Sequence, residues 1–395
     1  VVIVATAPWH GDSNPKPAAD SASAATTHAT SKAKAAAPKP RVQVTNGVVK
    51  INAPGTLRVS GKTKLPWPSK GQASISVAGV GSFGASGSAR PVPTASVAKA
   101  MTAYLILKDH PLRGHPLKLT VHRNEALAFR HEVALGQSLV PVRSGEVLTE
   151  RQALQALMLA SADNMAKILG RWDAGSVPAF VKKMNAQARA LGMMHTHYTD
   201  PSGYDKRTKS TVGDQIKLAN AALRLPGYQA VVSQRTAVIP VAGKIKNFNK
   251  LLGEPGVVGI KTGSMSAAGG CLLFAAKAKV AGRTVTILGT VLGQRSGQVG
   301  DLNQAFVSSH NLLAGVHKAL RPVKIIHKNQ VVTKVPGTKK VLVSANDVTI
   351  PGWRGLVVPS KVTASVKAGA VNGTKVGTLS VGNVGKATLV VRNTP

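Results

Sequence analysis

Ser96 and Lys99 stand three residues apart in Pro93-Thr94-Ala95-Ser96-Val97-Ala98-Lys99-Ala100-Met101. Val97, Met101, Tyr104 and Leu105 recur at helical spacing. The segment is therefore predicted to be a helix, N-capped by Thr94, whose first turn brings the hydroxyl and the amine together. A serine becomes a nucleophile when a base takes its proton. A lysine can be that base where desolvation or a second cation disfavours its charged form. A helix start also aims N–H groups at a developing oxyanion. In a chain rich in Ser and Lys the pair alone is not specific, but two further clusters follow. Ser161-Ala162-Asp163-Asn164 is expected at the end of a helix opened by a capping box, Thr149 with Gln152, and offers a hydroxyl and an amide to a cleft. Taken alone it reads as a polar helix end. Val257-Val258-Gly259-Ile260-Lys261-Thr262-Gly263-Ser264 reads as a strand. Lys261 and Thr262 suit a substrate carboxylate, and Gly263 leaves bare backbone beside it. The Ser264 N–H would join that of Ser96 in an oxyanion hole, and a substrate can lie along the strand as an added strand. A phosphate loop is excluded, because Ile260 stands where that motif needs Gly before the Lys.

These clusters need a folded frame, and the composition supplies one. The 395 residues are 43% hydrophobic, enough for a core, and the length suits two domains plus tails. One Cys excludes an intrachain disulfide framework and a multi-Cys metal site. No apolar run approaches the ~20 residues that span a bilayer. Residues 1–59 are taken as a remnant of a signal or anchor segment followed by a linker. Val1 to Ala7 form the apolar start, and an Ala/Ser/Thr/Lys/Pro-rich spacer runs from Pro8 to Pro40. Strand-like text begins near Gln72. From about Arg321 short Val-rich runs alternate with Gly, Pro and Asn turns, an all-β pattern.

The three clusters occur in the order S-x-x-K, S-x-(N), K-T-G. They are separated by 65 residues from Ser96 to Ser161 and 100 from Ser161 to Lys261. That order is the signature of penicillin-binding proteins and serine β-lactamases. The chain resembles a low-molecular-mass penicillin-binding protein of the serine D-alanyl-D-alanine carboxypeptidase type, of actinobacterial kind. The likeness runs from about Leu65 to Lys318, and more weakly beyond. It includes Leu65-Pro66-Trp67-Pro68, Leu191-Gly192-Met193, Thr199-Asp200-Pro201-Ser202-Gly203-Tyr204, Asn247 to Leu252 and Ala268-Gly269-Gly270-Cys271. It implies an α/β (α+β) catalytic domain over residues 60–320, with an antiparallel sheet and a helical subdomain, and a small β-domain over 321–395. It implies removal of the terminal D-Ala from peptidoglycan stem pentapeptides through an acyl-enzyme on Ser96, which β-lactams would trap. Ser96, Lys99 and Ser161 would be catalytic. Asp163, Asn164, Lys261, Thr262, Gly263 and Ser264 would bind substrate. No metal or cofactor is implied. Work outside the cytoplasmic membrane, secreted or anchored through an N-terminal segment, is also implied. No C-terminal amphipathic helix, frequent in that family, is read before Pro395.

One position departs from the family pattern. Asp163 stands where Asn is usual, and a carboxylate donates no hydrogen bond unless protonated. Either Asp163 pairs with Lys99 and favours its charged form, or Asn164 takes the role through a small register shift. A non-catalytic peptidoglycan-binding protein on the same fold is the alternative that this substitution raises. A penicillinase-like β-lactamase is disfavoured, since no Glu occurs between Glu150 and Glu254 to drive deacylation through water. Arg295, after the strand Val285 to Leu292, is read as a surface arginine within reach of a substrate carboxylate. His195 and His197 are read as plain loop residues, and Cys271 as a buried small apolar residue.

The charge is uneven. There are 51 Lys+Arg against 15 Asp+Glu, a formal net charge of +36, yet 12 of the 15 carboxylates fall within residues 86–320. Residues 321–395 carry 12 basic residues and one acidic, and residues 41–85 carry 6 and none. Few aromatics and no dense basic run speak against nucleic acid. The excess is read as attraction to anionic wall polymers or a membrane surface.

Overall fold

A computed structural model describes residues 41–45 and 47–394. The apolar start and the spacer read from the sequence lie outside the described residues.

The centre is a five-stranded antiparallel sheet. Its strand order is Val257–Met265, Gly269–Val280, Arg283–Gln294, Gln72–Val77, Gly81–Ser86. The strand Gly269–Val280 is apolar at consecutive positions because both of its faces are covered. Cys271, Leu273 and Ala275 belong to one core, and Leu272, Phe274 and Ala276 to the other. The first core is filled by the helices inserted between Ser86 and Val257, among them Lys99–Asp109, Glu150–Met158, Asp163–Ala174 and Val212–Ala222. The second is closed by the C-terminal helix Asp301–Ala319 and by the β-domain. Glu150–Met158 opens as its sequence predicts: the Thr149 hydroxyl accepts from the Gln152 N–H, and the Gln152 side chain accepts from the Thr149 N–H at 2.9 Å.

The second large sheet changes the domain organisation read from the sequence. Its order is Arg41–Thr45, Val48–Arg58, Val357–Lys367, Lys375–Val381, Gly385–Asn393, Lys340–Ser344, Val331–Lys334. Residues 41–58, grouped above with the linker, are thus its first two strands. Val48–Arg58 pairs along its whole length with Val357–Lys367, from Val48 against Lys367 to Arg58 against Val357. Val49 and Ile51 enter the core at alternate positions. Pro54 and Gly55 interrupt the strand pattern, and the pairing partner lies some three hundred residues away, so the local text reads as loop. The short pair Arg321–Ile326 and Val348–Gly352 completes the β-domain. The two units share the second core. Phe83 of the central sheet stacks on Trp353 with ring centroids 3.8 Å apart.

Candidate active site

The serine does not lie in a regular helix. Ala95–Ala98 form a 3-10 turn, and the α-helix begins at Lys99. Thr94 precedes the turn but makes no side-chain cap, so that expectation fails: its hydroxyl points to the Ala95 carbonyl at 3.5 Å. Ala95 is held at φ +46°, in the left-handed region that costs a non-glycine residue about 1–2 kcal/mol. The turn lifts Ser96, half-buried, above the first residue of the helix.

Lys99 is fully buried, and its ammonium has three hydrogen-bond acceptors: Ser96 Oγ at 2.9 Å, Asp163 Oδ1 at 2.5 Å and the Ser202 carbonyl at 2.9 Å. Three acceptors match the three donors of an ammonium. A neutral amine has two donors. It can keep Asp163 and Ser202 and turn its lone pair to Ser96, which is the arrangement a general base needs.

Asp163 and Asn164 open the helix Asp163–Ala174 rather than closing the one before it. Asp163 is tied on both sides. Its second carboxylate oxygen accepts from the Ser138 N–H at 3.1 Å, and its own N–H donates to the Ser138 carbonyl at 2.7 Å. Asn164 faces elsewhere. Its amide donates to the Val140 carbonyl at 2.8 Å and accepts from the Val140 N–H at 3.4 Å. No register shift brings Asn164 to Lys99. The ion pair with Asp163 is the alternative that the structure realises, and the substrate-binding role expected of Asn164 has no geometric support. Ser161, 4% exposed, sits two residues earlier at φ +59°, the second strained non-glycine residue of the cluster.

Lys261, Thr262 and Gly263 lie buried in Val257–Met265, and Ser264 is exposed at its end. This strand is the edge of the central sheet, so alternate backbone groups remain open to a ligand. Gly263 is there because of a close approach. A Cβ at that position would lie 3.0 Å from Ser96 N, Thr94 O and Val97 N alike, so any other residue would push the strand off the serine turn by a few tenths of an ångström. The Lys261 ammonium donates to the Thr262 carbonyl at 3.0 Å. Burial, and next the positive charge of Lys99, push Lys261 well below the usual lysine range, with Asp163 opposing.

Two supports escaped the sequence reading. Ser202, whose carbonyl holds Lys99, belongs to a loop organised by Asp200. One Asp200 oxygen accepts from Ser202 N, Ser202 Oγ and Gly203 N at 2.6 Å each, and the other from Asp205 N and Thr208 Oγ1. Gly203, at φ +78°, packs so tightly that a Cβ would fall 1.9 Å from the Ala95 carbonyl. Ser138 is the other. The signal was visible for the first, since Asp-x-Ser-Gly is an Asx-turn pattern. Nothing local marks Ser138, which acts through its backbone. Arg295 pairs with Asp301 at 2.9 Å, and its side chain lies beside Gly269, the partner of Met265 in the edge strand. Cys271 is buried, and burial pushes its thiol up to about 12. His197 pairs with Lys209 through backbone alone, and the His195 N–H donates to Asp214.

A sheet edge resting on a serine turn, with a buried lysine hydrogen-bonded to that serine, defines an enzyme of the serine acyl-transfer class. The profile of the D-alanyl-D-alanine carboxypeptidase family, peptidase S11, matches residues 85–294, more than half of the chain, and the chain belongs to that family. It is 32% identical over 220 residues to a D-alanyl-D-alanine carboxypeptidase of Streptomyces sp. (strain K15), covering 51% of this chain and 73% of that one. It is 28% identical over 192 residues to the carboxypeptidase DacF of Bacillus subtilis (strain 168), covering 46% and 47%. The crystal structure of the Streptomyces K15 DD-transpeptidase, 27% identical, aligns with a TM-score of 0.57 over 65% of this chain and 100% of that one. Penicillin binding protein 5 of Haemophilus influenzae, 19% identical, shares the fold over 84% of this chain and 99% of its own, with a TM-score of 0.60.

Proposed function

We propose that this enzyme releases the terminal D-Ala of peptidoglycan stem pentapeptides through an ester on Ser96. The observation that carries this reading is the buried Lys99 ammonium, 2.9 Å from Ser96 Oγ and fixed by Asp163 and Ser202. The substrate enters along the edge strand, its carboxylate against Lys261 and Thr262. Lys99, as the neutral amine, takes the proton of Ser96 while Oγ attacks the carbonyl of the penultimate D-Ala. The N–H groups of Ser96 and Ser264 face the oxyanion. The C–N bond breaks as Ser161 relays a proton to the leaving amine. Water then cleaves the ester and frees the shortened stem and Ser96. β-Lactams acylate the same serine and leave slowly. No Glu stands between Glu150 and Glu254 to drive deacylation through water, and both oxygens of Asp200 are occupied by loop hydrogen bonds, which supports the peptidase. The protein works outside the cytoplasmic membrane, and its basic excess retains it on anionic wall polymers. Among the described residues no helix is long and apolar enough to cross a membrane.

The test pairs two assays. A fluorescent penicillin labels the wild-type chain covalently and leaves Ser96→Ala unlabelled, and a stem pentapeptide loses D-Ala only with the wild type. Equal labelling of Ser96→Ala would discard the nucleophile. Labelling without D-Ala release would favour a peptidoglycan-binding relic, which the tight Asp163–Lys99 pair makes the second reading.

A further inference from the structure

A basic groove lies at the far end of the C-terminal helix from the catalytic cleft. It encloses about 560 Å³ between the segment Thr63–Pro66, the last turns of Asp301–Ala319 and the β-domain. Lys64, Lys318, Arg321 and Arg354 line it, with Thr63 and Asn311 as neutral hydrogen-bonding groups. All four cationic residues are exposed, and none of them forms an ion pair among the described residues. Glu254, the carboxylate that meets this helix at His310, is engaged there at 3.0 Å. Residues 41–85 contain no carboxylate, and residues 302–395 contain only Asp347, which Lys324 and the Lys328 N–H already engage.

The groove is built rather than a chance gathering on one mobile loop. Its cations come from three separate segments held together by strand pairing, a hydrogen bond and packing. Arg321 opens a strand paired to Gly352, the Arg354 carbonyl accepts from Thr63 Oγ1 at 2.9 Å, and the Arg354 stem lies against Gly61. Two guanidinium forks and two ammonium groups around an open channel fit the oxygens of successive phosphates better than a single carboxylate. The helix fixes the distance to the chemistry. It starts at Asp301, whose carbonyl abuts Gly270 opposite Ser264, and Asn311 to Ala319 place the groove about 15–27 Å along its axis.

We infer that this groove binds a phosphodiester polyanion of the wall and holds the enzyme there with the cleft free. The inference rests on the wall-facing function proposed above, and its test is independent of the catalytic residues. The full chain is titrated with short linear polyphosphate as probe, beside vesicles with and without an anionic lipid. The groove variant K64Q/K318Q/R321Q/R354Q is compared with K361Q/K367Q/K375Q/K386Q, which removes the same charge from exposed positions of the β-domain. An exposed charge contact contributes a few-fold each. The groove variant is therefore expected to bind polyphosphate about thirtyfold more weakly, and the control no more than about threefold. Equal losses in the two variants would show diffuse charge and overturn the site, as would no loss in either. Loss of vesicle binding with polyphosphate binding intact would assign the groove to a membrane and refute the inference. Both variants should label with fluorescent penicillin at the wild-type rate. If the wild type fails to label while the groove still binds polyphosphate selectively, the catalytic reading falls and the site stands.

Discussion

At the residue scale one buried pair stands beside the proposed nucleophile. Asp163, at the position where the motif read from the sequence expects an amide, lies 2.5 Å from the proposed base. Asp163→Asn keeps an acceptor for Lys99 and for the Ser138 N–H but turns a charge-assisted hydrogen bond into a neutral one. Such a change is worth about 1 kcal/mol, so penicillin acylation is expected to change several-fold in rate. An unchanged rate would show that the pair does not control the nucleophile. Some stability should be lost, since weakening a buried pair exposes part of a cost of about 3–5 kcal/mol.

Lys261 sets a second residue-scale expectation. Its folded value lies below the ordinary 10.5, so the unfolded chain binds this proton more tightly. Its contribution to stability therefore rises with pH through the window between the depressed value and 10.5. A bound carboxylate favours the charged form, so ligand binding should draw in a proton within that window. Calorimetry of a D-Ala-D-Ala peptide with Ser96→Ala, in buffers of different ionisation enthalpy, measures it. Zero uptake across that range would remove Lys261 from the carboxylate site.

At the element scale the decisive contact is between the edge strand and the serine turn. The turn carries the proposed nucleophile and the strand the proposed carboxylate site. Gly263 fixes their separation. In Gly263→Ala a methyl would press on the backbone at Ser96 and Val97, tilting strand from turn by a few tenths of an ångström. Acylation by penicillin is expected to slow about a hundredfold, the scale of losing one oxyanion donor. The melting temperature should fall only slightly, because the strand keeps its full ladder with Gly269–Val280. An unchanged rate would mean that the contact is packing without consequence for the chemistry.

At the scale of the whole molecule the β-domain is closed by chain from before the catalytic domain. Without residues 41–58 the eleven-residue strand Val357–Lys367 would become an open edge. A chain starting at residue 60 is expected to melt lower and to associate on warming, while its folded fraction still labels with penicillin. Light scattering during a thermal scan checks this, and full stability of the shortened chain would deny the strands a structural role. The same closure places Thr63–Pro66 against the C-terminal helix, which is how the basic groove is assembled.

Much of this was legible in the residues. The Ser96–Lys99 spacing, the Thr149 capping box, the Lys-Thr-Gly strand and the all-β end are local patterns, and local propensity and periodicity specify them within a few residues of chain. The sequence by itself determined which chemical groups exist, their order and the class of reaction they suit. Only the tertiary structure decided that Asp163 rather than Asn164 meets Lys99, that the Ser202 carbonyl is the third anchor and that residues 41–58 belong with residues 357–367. Those facts depend on backbone groups and on pairings across large sequence separations. Every residue has the same carbonyl and N–H, so side-chain text cannot say which of them packing will bring to a buried charge.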